Sequence, residues 1–113
     1  MGYIGYGYLY ASDNSDASIE FAAVAPKAGS YEVRLAYGHH ENRGTTVPVI
    51  VTAGGIKKTH KIDMTKPAPL ENGFISLGTV ALKPNEACSV IVSAVGAGGF
   101  AHADAVQLLP VKE

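Results

Sequence analysis

The chain has 113 residues, 47% of them hydrophobic, and its 9 basic and 10 acidic side chains leave a net charge of −1. That length suits one domain over residues 1–113 with its own core, and the apolar share excludes a disordered tail. No basic stripe offers itself to nucleic acid, no apolar run approaches the roughly 20 residues of a membrane helix, and the lone Cys88 cannot form an internal disulfide.

Met1 is followed at once by Gly-Tyr-Ile-Gly-Tyr-Gly-Tyr, without a charged leader or an apolar signal segment. It reads as the start of a domain trimmed from a longer parent, whose secretion would be a property of that parent. Tyr6 to Tyr10 alternate as a short strand, with glycine marking a bulge. Residues 11–17 are turn chemistry. Ser18 to Val24 read as a strand with Ile19, Phe21 and Ala23 inward, and Pro26-Lys27-Ala28-Gly29 as a turn. The next stretch organises the rest: Tyr31, Val33, Leu35 and Tyr37 share one face, and Glu32 and Arg34 the other.

A polar loop, Gly38-His39-His40-Glu41-Asn42-Arg43-Gly44, leads to Thr46–Ala53, and Gly54-Gly55 joins that strand to Ile56–Ile62 as a hairpin. The register sets Val51 against Lys58, Val49 against His60 and Val47 against Ile62. Pro48 removes a ladder donor, so its side of the strand is expected to be an edge or irregular. Asp63 to Gly73 is the longest loop. Phe74–Leu82 is a strand interrupted by Gly78, Lys83-Pro84-Asn85-Glu86 a turn, and Cys88–Ala94 a strand with Cys88, Val90, Val92 and Ala94 on one face. Gly96-Ala97-Gly98-Gly99 reads as a mobile loop. Ala103–Leu109 closes the domain with Val106 and Leu108 inward. About eight short strands and no helical segment predict an all-β fold, an antiparallel two-sheet β-sandwich of jelly-roll type.

Few residues carry chemistry. Even spacing puts Tyr6, Tyr8 and Tyr10 on one face, as a stacking surface for sugar rings or as an edge strand packed on the core. Asp104 shares the parity of Val106 and Leu108, so its carboxylate is expected inside, where it needs donors. Backbone amides or a bidentate Arg43 would supply them, making Arg43–Asp104 a structural lock on the loop or Asp104 a ligand-binding acid. His39, His40, Asn42 and Arg43 are ligand-binding candidates by their loop position. The histidines and Glu41 lack the convergent spacing of a metal site, and Asp13-Asn14-Ser15-Asp16 reads as a turn rather than a calcium loop. No helix follows Gly96, Gly98 and Gly99 to hold a phosphate. There is no Gly-x-Ser-x-Gly elbow, and the spacing of Asp63 and Glu71 does not support a glycosidase pair. Cys88 reads as an inert buried thiol. No catalytic residue and no cofactor is expected.

Four pieces in order carry a resemblance: Gly-Tyr-Ile-Gly-Tyr-Gly-Tyr-Leu-Tyr at 2–10, Gly29 to Tyr37, Asn42-Arg43-Gly-Thr-Thr-Val-Pro-Val49, and Ala103-Asp104-Ala105-Val106, with Phe74 to Thr79 also fitting. Together the chain resembles the golvesin C-terminal-like domain, also called the xanthan-lyase carbohydrate-binding-like domain. The resemblance implies a non-catalytic β-sandwich appended to secreted bacterial polysaccharide lyases, hydrolases or FAD-dependent oxidoreductases. It would bind polysaccharide through exposed tyrosines and the loops 38–45, 63–73 and 95–102, and be secreted or periplasmic within its parent. The alternative is an interaction module that packs on parent-protein domains. Family members usually carry a further N-terminal strand with a tryptophan; this chain has no tryptophan and begins after that strand. The open edge would invite a second copy, hence a homo-oligomer.

Overall fold

The computed structural model describes residues 3–11, 16–25, 27–70 and 73–111, with the backbone alone described for 3–11. Among the described residues lie eight strands: β1 (Tyr3–Ala11), β2 (Ser18–Val24), β3 (Gly29–Ala36), β4 (Val47–Ala53), β5 (Ile56–Ile62), β6 (Phe74–Leu82), β7 (Ala87–Ser93) and β8 (Ala101–Pro110). They form two four-stranded antiparallel sheets, ordered β1-β8-β3-β6 and β2-β7-β4-β5. No described helix is long and apolar enough to cross a membrane.

Alternation explains the core. Tyr31, Val33 and Leu35 of β3 are buried, as are Val47, Val49 and Val51 of β4 and Cys88, Val90 and Val92 of β7. These rows face each other between the sheets and form one cluster with Phe21, Leu77, Leu82, Val106 and Leu108. The Cys88 thiol is buried there, which raises its pKa and keeps it from the reactive thiolate form. The opposite rows meet water: Glu32 and Arg34 of β3 pair at 2.8 Å on the outer face.

The β4–β5 hairpin follows the expected register, Val51 opposite Lys58, Val49 opposite His60 and Val47 opposite Ile62. Its two-residue turn works because Gly54 and Gly55 both take positive φ, 57° and 80°. Pro48 departs from expectation in one respect. β4 is an internal strand, but the β4–β7 ladder begins at Val49, so the proline sits just outside it.

Two strands carry irregularities. In β6, the register against β3 slips between Glu32 and Arg34, around Gly78, whose φ is 92°. In β1, the register against β8 slips between Tyr6 and Leu9. Opposite that slip, the inward positions of β8 change parity: Ala101 and Ala103 are buried in the core, then Val106 and Leu108. Asp104 falls in the change and points outward, its side chain 52% exposed. The expectation of an inward Asp104 is thereby corrected, because counting in twos back from Val106 fails across a bulge.

Chain reversals divide unequally between the two ends. At one end lie the tight turns at 54–55 and 83–86 and the short connection before β3. At the other lie the long connections between β3 and β4, β5 and β6, and β7 and β8.

Candidate functional site

The long connections at that end are joined by backbone hydrogen bonds. Gly44 N–H donates to Phe100 O at 2.7 Å, Phe100 N–H to Asn42 O at 3.0 Å and Thr46 N–H to Ala97 O at 3.1 Å. Arg43 and Phe100 form a parallel bridge. Met64 N–H donates to Gly44 O at 2.9 Å, and His40 N–H to Met64 O at 3.3 Å. The fully buried Met64 plugs the space beneath. The structure thus brings together the three loops singled out by sequence, 38–45, 63–73 and 95–102. Gly96–Gly99 is packed rather than loose: Ala97 is fully buried, and a Cβ on Gly99 would lie 2.8 Å from Arg43 O.

Arg43 organises the first loop from within. Its Nε donates to Gly38 O at 3.0 Å and its Nη1 to Asn42 Oδ1 at 3.0 Å. His39, His40, Glu41 and Asn42 are left exposed at the tip. The tip therefore offers imidazole, carboxylate and amide groups on a backbone held at both ends, an arrangement suited to hydrogen-bonding a hydroxylated ligand.

His102 is the residue that sequence reasoning passed over. It occupies β8 two positions before Asp104, and the loop folds over it, leaving it 7% exposed. Gly38 N–H donates to its Nδ1 at 2.7 Å, and its Nε2 lies 3.4 Å from Asp104 Oδ1. Nδ1 is therefore the acceptor and Nε2 carries the proton, facing the carboxylate. A Cβ at position 38 would lie 3.2 Å from the ring, so the imidazole would have to give by a few tenths of an ångström. Asp104 thus lies beside the imidazole on the outer surface, and Arg43 donates to Gly38 and Asn42.

Burial lowers the His102 pKa from the usual 6.5; Asp104 pulls it back up and Arg43 pushes it down, with a net lowering. Between the folded and unfolded values the unfolded chain binds the proton and the folded chain does not, so stability rises with pH there. The contribution is complete above about 6.5 and is lost as pH falls through the folded value. Glu32 and Asp63, held low chiefly by Arg34 and Thr65 respectively, act only in more acid solution. The melting temperature is expected to fall between pH 7.5 and 5, and His102→Asn, whose Oδ1 replaces Nδ1, to flatten that fall. A wild-type curve that the variant merely parallels would contradict this.

The tyrosines divide. The side chains of Tyr6, Tyr8 and Tyr10 lie outside the described residues. Tyr10 is the register partner of His102, which places the end of β1 beside the loop cluster. Tyr31 and Tyr37 are buried, their hydroxyls donating to Lys27 O and Lys66 O. Among the described residues no three His, Cys, Asp or Glu side chains could hold a metal ion.

No curated protein matches this sequence. Solved structures do match in fold. The Paenibacillus xanthan lyase superposes with a TM-score of 0.76 at 21% identity, over 98% of this chain and 12% of the lyase. A ruminal GH26 endo-β-1,4-mannanase gives 0.57 at 16% identity, over 96% and 20%. A family 35 carbohydrate-binding module from an environmental isolate gives 0.56 at 20% identity, over 96% and 82%. The chain thus spans about one eighth of the xanthan lyase and most of the family 35 carbohydrate-binding module. The family model for the Golvesin C-terminal domain matches residues 1–110, and the chain belongs to that family.

Proposed function

We propose that the chain is a non-catalytic carbohydrate-binding accessory domain, which holds a polysaccharide-active parent enzyme on its substrate. The observation that carries the reading is the stitched loop end, where a rigid backbone presents His39, His40, Glu41 and Asn42 to solvent. The family and the likeness in fold to a carbohydrate-binding module support it. The parent would be a secreted or periplasmic bacterial lyase, hydrolase or FAD-dependent oxidoreductase, and no cofactor would bind here.

Affinity electrophoresis through gels containing xanthan or β-1,4-mannan tests this. Retardation that saturates with polymer concentration is expected on at least one of them. The triple variant His39→Ala/His40→Ala/Asn42→Ala is expected to weaken it about tenfold, equivalent to about 1.4 kcal/mol of lost hydrogen bonding. Unretarded migration on both polymers, or retention indifferent to the triple change, would sink the proposal.

The alternative is an interaction module that packs on a parent protein or self-associates, and its second form, self-association through an exposed edge, meets physical opposition. β5 carries Lys57, Lys58 and Lys61, and β1 and β6 are both bulged. Charge and bulging are the features that discourage edge-to-edge pairing.

A further inference from the structure

The two sheets do not close along both sides. β1 and β2 pack on one another, whereas β5 and β6, the edge strands at the other side, stand apart around a groove of about 440 Å³. That volume is in the range of small-ligand sites. The groove runs toward the tight-turn end, remote in the fold from the stitched loops.

Its walls differ in character. Leu77, Val80 and Leu82 of β6, with Val51 of β4, form an apolar side. On β5 the inner-facing positions opposite Val49 and Val51 are not apolar: they are His60 and Lys58. The Nε2 atom of His60 is buried and has no hydrogen-bond partner among the described residues. Lys58 is exposed and lines the groove, and Lys83 lines it near the 83–86 turn. Glu86 also lines it, but its Oε1 accepts the Lys83 backbone N–H at 3.1 Å.

We propose that this groove binds the carboxylate-bearing sugar of an acidic polysaccharide. The apolar C–H face of the ring lies on Leu77, Val80 and Leu82. The carboxylate meets Lys58 and Lys83. Charge complementarity selects this occupant over a neutral sugar. Among the described residues no phenylalanine or tyrosine ring lines the groove, so the cations must carry the affinity. The inference rests on the carbohydrate-binding reading and adds a second subsite with a preference for uronates.

The test uses polygalacturonate and its carboxyl-reduced, neutral counterpart with the full chain, the wild type beside Lys58→Gln/Lys83→Gln. Both lysines are exposed, so the double variant keeps the fold, checked by its melting temperature. The expected result is binding to polygalacturonate at least tenfold tighter than to the reduced polymer. The double variant should lose that margin, and amide shifts in the wild type should centre on Leu77 and Val80. Equal binding to both polymers, unchanged by the double variant, overturns the groove while leaving the loop site standing. Polygalacturonate binding that shifts only the 38–45 loop likewise overturns it. Binding to no polymer, here and in the xanthan and mannan gels, removes both proposals.

Discussion

Gly44→Ala is expected to lower the unfolding free energy by about 3–4 kcal/mol and the melting temperature by about 10–20 °C. Gly44 is buried where the loop between β3 and β4 crosses the loop between β7 and β8. A Cβ there would overlap the carbonyl oxygen of Ala97, and would lie 2.8 Å from the Ala97 carbonyl carbon and 3.0 Å from Val47 Cγ2. Backbone atoms cannot swing aside as a flexible side chain can. The two loops must part, endangering the bonds Gly44 N–H to Phe100 O, Thr46 N–H to Ala97 O and Met64 N–H to Gly44 O. Gly55→Ala is the control. Its φ of 80° strains alanine, but no atom lies within 4 Å of the added carbon, so about 1–2 kcal/mol should be lost. Chemical denaturation of both variants decides the matter: equal losses would mean that the loops are not packed as described.

His102→Ala is expected to cost about 2–3 kcal/mol and to loosen one loop selectively. The change removes the acceptor of the 2.7 Å bond from Gly38 N–H, leaving that donor without its partner beneath the loop. An unsatisfied donor accounts for about 1–3 kcal/mol. Hydrogen exchange separates this from general destabilisation. The Gly38 amide should exchange much faster relative to the amides of β3 and β4, and His102→Asn should restore most of the protection. Uniform acceleration across both sheets would show that the imidazole is ordinary packing and no pin for the loop.

Most of the fold was legible because its signals are local. Period-2 burial marked β3, β4 and β7, and Gly54-Gly55 set the β4–β5 register because a two-residue turn leaves one alignment. Asp104 was misplaced because a slip in a neighbouring strand, nearly 100 positions away in sequence, decides its direction. His102 was overlooked because β8 starts at Ala101, two residues before the expected strand, and its partner is a backbone amide 64 positions away. The joining of the three loops leaves no local trace either, since backbone donors and acceptors have no sequence signature. The glycines at 44 and 99 are the one hint, for both sit where another backbone passes within contact of the missing Cβ.

On the proposed reading, this sandwich grips a polysaccharide and breaks no bond in it. One measurement addresses both halves: equilibrium binding to xanthan, mannan and polygalacturonate, with reducing ends and unsaturated products assayed in the same samples over a day. Saturable retention on at least one polymer, with neither product accumulating, is the predicted result. Products released in proportion to protein concentration, or retention on none of the three, would contradict it.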